Sequence, residues 1–201
     1  MFISFEGIDG SGKSTQARLL ADYLKSKNKE VVLTREPGGS AGAEVIRRLL
    51  VEGDTDRWSA ETEILLFNAA RRDHLEKTIR PALDAGKFVI TDRFADSTRI
   101  YQGVARADLS DFVMNIHNLA IGVDPDLTFI IDADPNESLS RGLARNSGED
   151  RFEDFGLKFQ QNIREGFLKL ADTDQRFALI NGMQEIERVA ADIAALLDRH
   201  L

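Results

Sequence analysis

The feature that most limits how this chain can fold is the octapeptide Gly7-Ile8-Asp9-Gly10-Ser11-Gly12-Lys13-Ser14, set between a short apolar run at 2–5 and a helix-period segment that begins at Ala17. It fits G-x-x-x-x-G-K-[ST], a pattern that works only as the turn from a strand into a helix. The glycines let successive backbone N–H groups point inward around a phosphate, and the helix N-terminus adds its dipole. Lys13 then reaches the terminal phosphoryl oxygens and Ser14 offers a hydroxyl to Mg²⁺. Such a turn needs a sheet for its strand to join.

The remaining sequence supplies one. Further strand candidates are EVVLT (30–34), KFVIT (87–91), LTFII (127–131) and RFALI (176–180), after FISF (2–5). Between them, ARLLADYLKS, EVIRRLLVE, ILLFNAARRDHLEKTI, FVMNIHNLAI and IERVAADIAALL repeat apolar residues three and four apart. This βα alternation predicts a parallel sheet covered by helices on both faces. Pro81 is expected to break or kink the long third helix. The polar stretch RGLARNSGEDRFED (141–154) has too few apolar residues for a core element and reads as a flap.

At 201 residues the chain suits one domain rather than two. A formal net charge of −8 argues against nucleic-acid coating or attraction to an anionic membrane, so any anion site must be a local concentration of cations. The absence of cysteine excludes disulfides and thiolate chemistry and points to the cytoplasm. Strand-like sequence from Phe2 leaves no room for a signal peptide, and no apolar run is long enough to span a membrane. His74, His117 and His200 lack metal-ligand spacing and read as ordinary helix residues.

Arginine gathers where strands should end. TREPGG (34–39) follows the second strand and TDRF (91–94) the third, with Arg47, Arg48, Arg71 and Arg72 on helices. Ligands of open α/β sheets sit beyond the carboxyl ends of strands, so Arg35 and Arg93 should face the same crevice as the phosphate turn. A second anion site beside the first implies transfer between two phosphates. No N-K-x-D segment reads guanine, which disfavours a GTPase switch.

FEGIDGSGKST, TREPGG, ILLFNAARRDH, DRFADST, YQG and PDLTFIID stand in an order and spacing that resembles the thymidylate kinases, from residue 2 to about 132. The resemblance implies a P-loop nucleoside monophosphate kinase fold, a five-stranded parallel sheet with a lid at 141–155, that converts dTMP to dTDP with ATP and Mg²⁺. It further implies a homodimer through helix faces. Residues Gly7 to Ser14, with Thr15, would hold ATP. Arg35, Arg47 and Arg93 match residues that hold the acceptor phosphate, Asp9 the one that meets the 3′-hydroxyl, and Pro37 lies beside them. Phe67 matches the ring that stacks on thymine, and Arg71 the guanidinium that reads its carbonyl. Thr98 and Gln102 match positions that line the base pocket in the family, and Tyr101 the position of a ring that crowds the ribose 2′ position. Ser14, Glu36 and Asp92 match positions near Mg²⁺, partly through water. From periodicity alone, Phe67 could equally be core and Arg71 surface; on a helix the two share one face. Ile100, Arg99 and Asn68 depart from the usual family residues. Other nucleotide kinases and a nucleotide-dependent switch are the rival functions.

Some thymidylate kinases carry a catalytic arginine inside the phosphate loop, and this chain does not. The other arrangement puts it in the lid, where Arg141 and Arg145 would approach ATP and Arg151 follows; simple pairing with Glu149, Asp150, Glu153 and Asp154 is the alternative. A mobile arginine can contribute about 10³ or more to phosphoryl transfer. Arg145→Ala should therefore lower kcat by about 10²-fold or more with little change in the KM for ATP, and steady-state kinetics showing near-normal turnover would refute the assignment.

Overall fold

The computed structural model describes residues 1–54, 56–104, 109–143 and 156–201, and side chains over the same stretches except at 104 and 141–143. Arg145, Arg151 and the side chain of Arg141 fall outside the described residues, and with them nearly all of the expected lid. The strands β1 (Phe2–Glu6), β2 (Val31–Arg35), β3 (Phe88–Asp92), β4 (Leu127–Asp132) and β5 (Phe177–Asn181) form one parallel sheet in the order β2-β3-β1-β4-β5. Chain order reverses beside β1, so a crevice opens above the carboxyl end of that strand.

Period-two alternation assigns the two faces. Ile3 and Phe5 of β1 and Leu127, Phe129 and Ile131 of β4 point to one side. There they meet Leu20 and Leu24 of α1 (Lys13–Ser26) and Val189, Ile193 and Leu197 of α9 (Ile186–Leu197). On the opposite side Phe2 and Val89 pack with Leu75, Ile79 and Phe94. Ile130 packs there with Ile8, Ile100, Tyr101 and the Phe159, Ile163 and Phe167 stripe of α8 (Gly156–Ala171). That helix is not among those expected from the sequence, although its aromatic and aliphatic residues recur every four positions.

Pro81 does not end the third helix. After α3 (Ala60–His74) the chain makes a π-helical turn over Leu75–Ile79 and continues as α4 (Arg80–Asp84). The wider turn relieves the clash that the proline ring would make with the carbonyl one turn earlier.

The second face also carries hydroxyls where apolar residues would pack. Ser4 and Thr128 share a hydrogen bond of 2.7 Å across β1 and β4. Arg176, just before β5, donates to Thr128 Oγ1 at 3.0 Å and clasps the wholly buried Asp96 of α5 (Ala95–Thr98) with bonds of 2.8 and 2.9 Å. Arg99 donates to the same carboxylate at 3.0 Å. A buried carboxylate is tolerable only while its charge is matched. Arg176→Met, which keeps bulk and removes the fork, should cost about 3 kcal/mol in urea denaturation; a midpoint unchanged from wild type would show that Arg99 alone suffices.

Candidate active site

The turn after β1 has the geometry its glycines foretell. Gly12 caps α1 at φ 98°, a left-handed conformation open to glycine, and a Cβ on Gly7 would lie 2.6 Å from the carbonyl oxygen of Ile131. At Gly10, with φ 76°, a Cβ would sit 1.9 Å from the carbonyl oxygen of Ser138 in α7 (Pro135–Leu143). Lys13 folds over the loop and donates to the Ile8 carbonyl at 2.6 Å. Its burial, with the Arg93 charge beside it, pulls the ammonium pKa down to about 8.

Arg93 stands where β3 ends. Its amide donates to the Phe5 carbonyl at 2.9 Å, and its backbone holds φ 71° although it is not glycine. That conformation costs roughly 1 kcal/mol or more, and it turns the side chain from the sheet toward the phosphate loop. Arg93 Nη1 donates to the Gly7 carbonyl at 3.3 Å and to Ser97 Oγ at 2.9 Å. Nη2 donates to Asp9 Oδ1 at 2.5 Å and to the Tyr101 hydroxyl at 3.1 Å, and that hydroxyl donates to Asp9 Oδ2 at 3.0 Å. Burial alone would raise the Asp9 carboxyl, but the Arg93 and Lys13 charges outweigh it and hold Asp9 below the usual carboxylate range. Burial raises the Tyr101 hydroxyl well above its ordinary value, so it stays protonated.

From this triangle an open cleft runs away from the loop. Asp9, Glu36, Pro37, Arg47, Phe67, Arg71, Arg93, Thr98, Tyr101 and Gln102 all line it, so ten residues expected to bind the acceptor share one wall. The choice that periodicity left open for Phe67 and Arg71 is thereby resolved: neither is plain core or plain surface. Arg71 is almost wholly buried; Nε donates to Glu36 Oε2 at 2.7 Å, and Nη2 donates to the Phe94 carbonyl at 3.2 Å and to Thr98 Oγ1 at 3.0 Å. Arg35 lies outside the cleft. It pairs with Glu44 at 3.1 Å and borders a separate groove with Ser14 and Asp92.

The oxygen set expected for Mg²⁺ divides. The Ser14 hydroxyl donates directly to Asp92 Oδ2, while Asp92 Oδ1 is buried without a hydrogen-bond partner among the described residues. One hydroxyl and one carboxylate fit a magnesium ion that keeps several waters and phosphate oxygens. Glu36 is engaged elsewhere: its other oxygen, Oε1, meets His74 Nδ1 at 3.0 Å. Both of its carboxylate oxygens serve side chains of α3.

His74 is therefore more than an ordinary helix residue. It is wholly buried, with Nε2 2.7 Å from Thr34 Oγ1, and a Cβ on Gly39 would lie 2.3 Å from that nitrogen. The second glycine of TREPGG makes room for this ring, a relation that no spacing rule exposes. Val51, Phe94 and Ser97 also line the cleft unannounced. On the far side of the phosphate loop a second crevice is lined by Gly10, Ser11, Gly12, Thr15, Gln16 and residues 182–186. Asn181-Gly182 read only as punctuation in the sequence, yet Gly182 begins this wall.

The thymidylate kinase family model matches residues 5–193. The chain is 64% identical over 196 residues to a thymidylate kinase of Dinoroseobacter shibae, covering 97% of this chain and 95% of the relative. With the Ruegeria pomeroyi thymidylate kinase the identity is 61% over 202 residues, 100% of this chain and 96% of the relative. The crystal structure of thymidylate kinase from Ehrlichia chaffeensis superposes with a TM-score of 0.79 at 38% identity and 98% coverage of both chains. With the phosphate loop, the arginine at the end of β3 and the adjoining cleft in place, this chain belongs to the thymidylate kinase family.

Proposed function

We propose that the site moves the γ-phosphoryl group of ATP onto the 5′-phosphate of dTMP, yielding dTDP and ADP. The observation that carries this reading is the position of Arg93, whose guanidinium bonds at once to the Gly7 carbonyl of the phosphate loop and to Asp9 and Tyr101 of the cleft. An acceptor phosphate seated there faces the donor. A phosphate monoester with a second pKa of about 6 is already a nucleophile, so no general base is required. Its oxygen bonds to Pγ as the bond from Pγ to the ADP oxygen breaks, and the protein aligns the two and offsets charge.

Lys13 and the loop amides hold the donor phosphates, and Arg47 joins Arg93 on the acceptor side of the cleft. Arg35 would have to release Glu44 to take part. Mg²⁺ held by Ser14 and Asp92 would neutralise charge on the β- and γ-oxygens. Phe67 offers a face to thymine. Arg71 keeps Nη1 free of the bonds described above and, as a donor only, suits a carbonyl better than the amino group of cytosine. The crevice between the loop and residues 182–186 suits the rest of ATP.

Residues 1–201 would act as one kinase unit under a lid at 141–155, with Arg141 and Arg145 reaching ATP. Exposed Val45 and Leu49 on α2 (Ala41–Val51), Leu65 on α3, and Met114 and Leu119 on α6 (Ser110–Ala120) favour a homodimer through these faces. No helix among the described residues is long and apolar enough to cross a membrane, and an acidic chain without cysteine fits the cytoplasm.

A coupled ADP-release assay should rank dTMP far above dCMP, dGMP and thymidine; equal rates with and without dTMP would sink the reading. Arg71→Lys, which loses the planar fork, should lower kcat/KM for dTMP by about tenfold or more. Lys13 is charged below about pH 8 and neutral above it, so ATP affinity measured by calorimetry on the free protein should weaken as pH rises through that value. Lys13→Arg, charged throughout, should lack this limb, and an affinity that stays level in the wild type would contradict the role given to Lys13.

A further inference from the structure

Glu6 closes β1 and is wholly buried, yet it belongs neither to the phosphate loop nor to the wall of the cleft. Oε1 accepts the Phe94 amide at 2.7 Å and Oε2 accepts the Ser97 hydroxyl at 2.6 Å. Each bond leads on to an arginine of the cleft. Ser97 Oγ accepts from Arg93 Nη1 at 2.9 Å, and the Phe94 carbonyl accepts from Arg71 Nη2 at 3.2 Å. We propose that Glu6 is a positioning residue that sets Arg93 and Arg71 in register, so that one buried carboxylate fixes the span between the phosphate end and the base end of the acceptor cleft. This rests on the reading of the cleft as the dTMP site.

Carboxylate chemistry suits the task. An ionised carboxylate only accepts, which forces the Ser97 proton toward Glu6 and leaves the serine lone pairs to Arg93. A protonated Glu6 can donate to Ser97 instead and competes with Arg93 for the same oxygen. Burial, then the nearby Asp96 carboxylate, raises the Glu6 pKa to about 7 against the opposing pull of Ser97, Arg93 and the Phe94 amide. Lys13, on α1, is a further charged group that faces it. Because the folded pKa lies above the ordinary 4.5, protonated Glu6 favours the fold at low pH. That contribution is lost as pH rises through about 7, and the ionised form then strains the fold. A carboxylate kept at such a cost has a use that an amide would not serve.

The test compares wild type with Glu6→Gln, Ser97→Ala and the double variant by steady-state kinetics across the neutral range, dTMP calorimetry and thermal melting. Glu6→Gln keeps the Phe94 bond but presents N–H to Ser97. It should melt no lower than wild type at about pH 8, while its KM for dTMP rises about tenfold and that for ATP moves less than about twofold. In the wild type, kcat/KM for dTMP should fall as pH drops through about 7; in Glu6→Gln only the limb near 6 from the nucleotide's own phosphate should remain. Ser97→Ala should reproduce the KM effect, and the double variant should be no worse than either single change, because all act through one route. An unmoved dTMP KM and pH profile in Glu6→Gln, a kinetic loss that merely tracks a lowered melting point, or effects that multiply in the double variant would each overturn the proposal. Wild type that neither binds nor phosphorylates dTMP would overturn this proposal and the functional reading together, whereas active wild type with unaltered variants overturns only the role of Glu6.

Discussion

The ion pair between Arg93 and Asp9 is the contact on which the rest of the molecule turns. Asp9 lies in the loop that follows β1 and Arg93 just past the end of β3, and the two strands are neighbours at the point where strand order reverses. The sheet is needed to hold their backbones a fixed distance apart, and the left-handed turn at Arg93 is needed to aim the guanidinium across that gap. Strain at this residue is offset by two anchors, its amide on the Phe5 carbonyl and its own carbonyl on the Thr91 hydroxyl at 2.8 Å. Two hydrophobic layers thus converge on holding one cation beside a phosphate-binding turn.

Concentration of charge explains how an acidic protein can bind two anions. The chain as a whole carries a net charge of −8, whereas Arg71, Arg93 and Lys13 are withdrawn from solvent beside the crevice. Field lines from a sparsely hydrated cation reach a bound phosphate with little screening, so a few buried groups outweigh many exposed carboxylates. Each cation is in turn held by a specific acceptor: Glu36 for Arg71, Asp9 for Arg93 and the Ile8 carbonyl for Lys13.

Much of this was legible in the residues. The five strands lie within a residue of their expected positions because β-branched and aromatic runs bounded by glycine and proline admit few alternatives. The phosphate turn and Arg93 followed from local spacing. Less was visible where tertiary contact decides the outcome. The partners of Glu36 were not legible, since the approach of α3 gives its two oxygens to Arg71 and His74. Arg35 had the position of a phosphate ligand after a strand, and its pairing with Glu44, on the next helix, could not be read from that position. His74 carried no pattern of its own, since its partners at 34, 36 and 39 lie far back in the chain. The stripe of Phe159, Ile163 and Phe167 was overshadowed by the polar residues before it, although its period was regular.

The closeness of α7 to the phosphate loop has one more outcome. With the Ser138 carbonyl pressed against Gly10, that position is sealed to any side chain, and a long cationic one could enter only by prising the helix away. Here the seal confines such a substituent to ground beyond the loop, and it couples the loop's shape to the helix that leads toward residue 143.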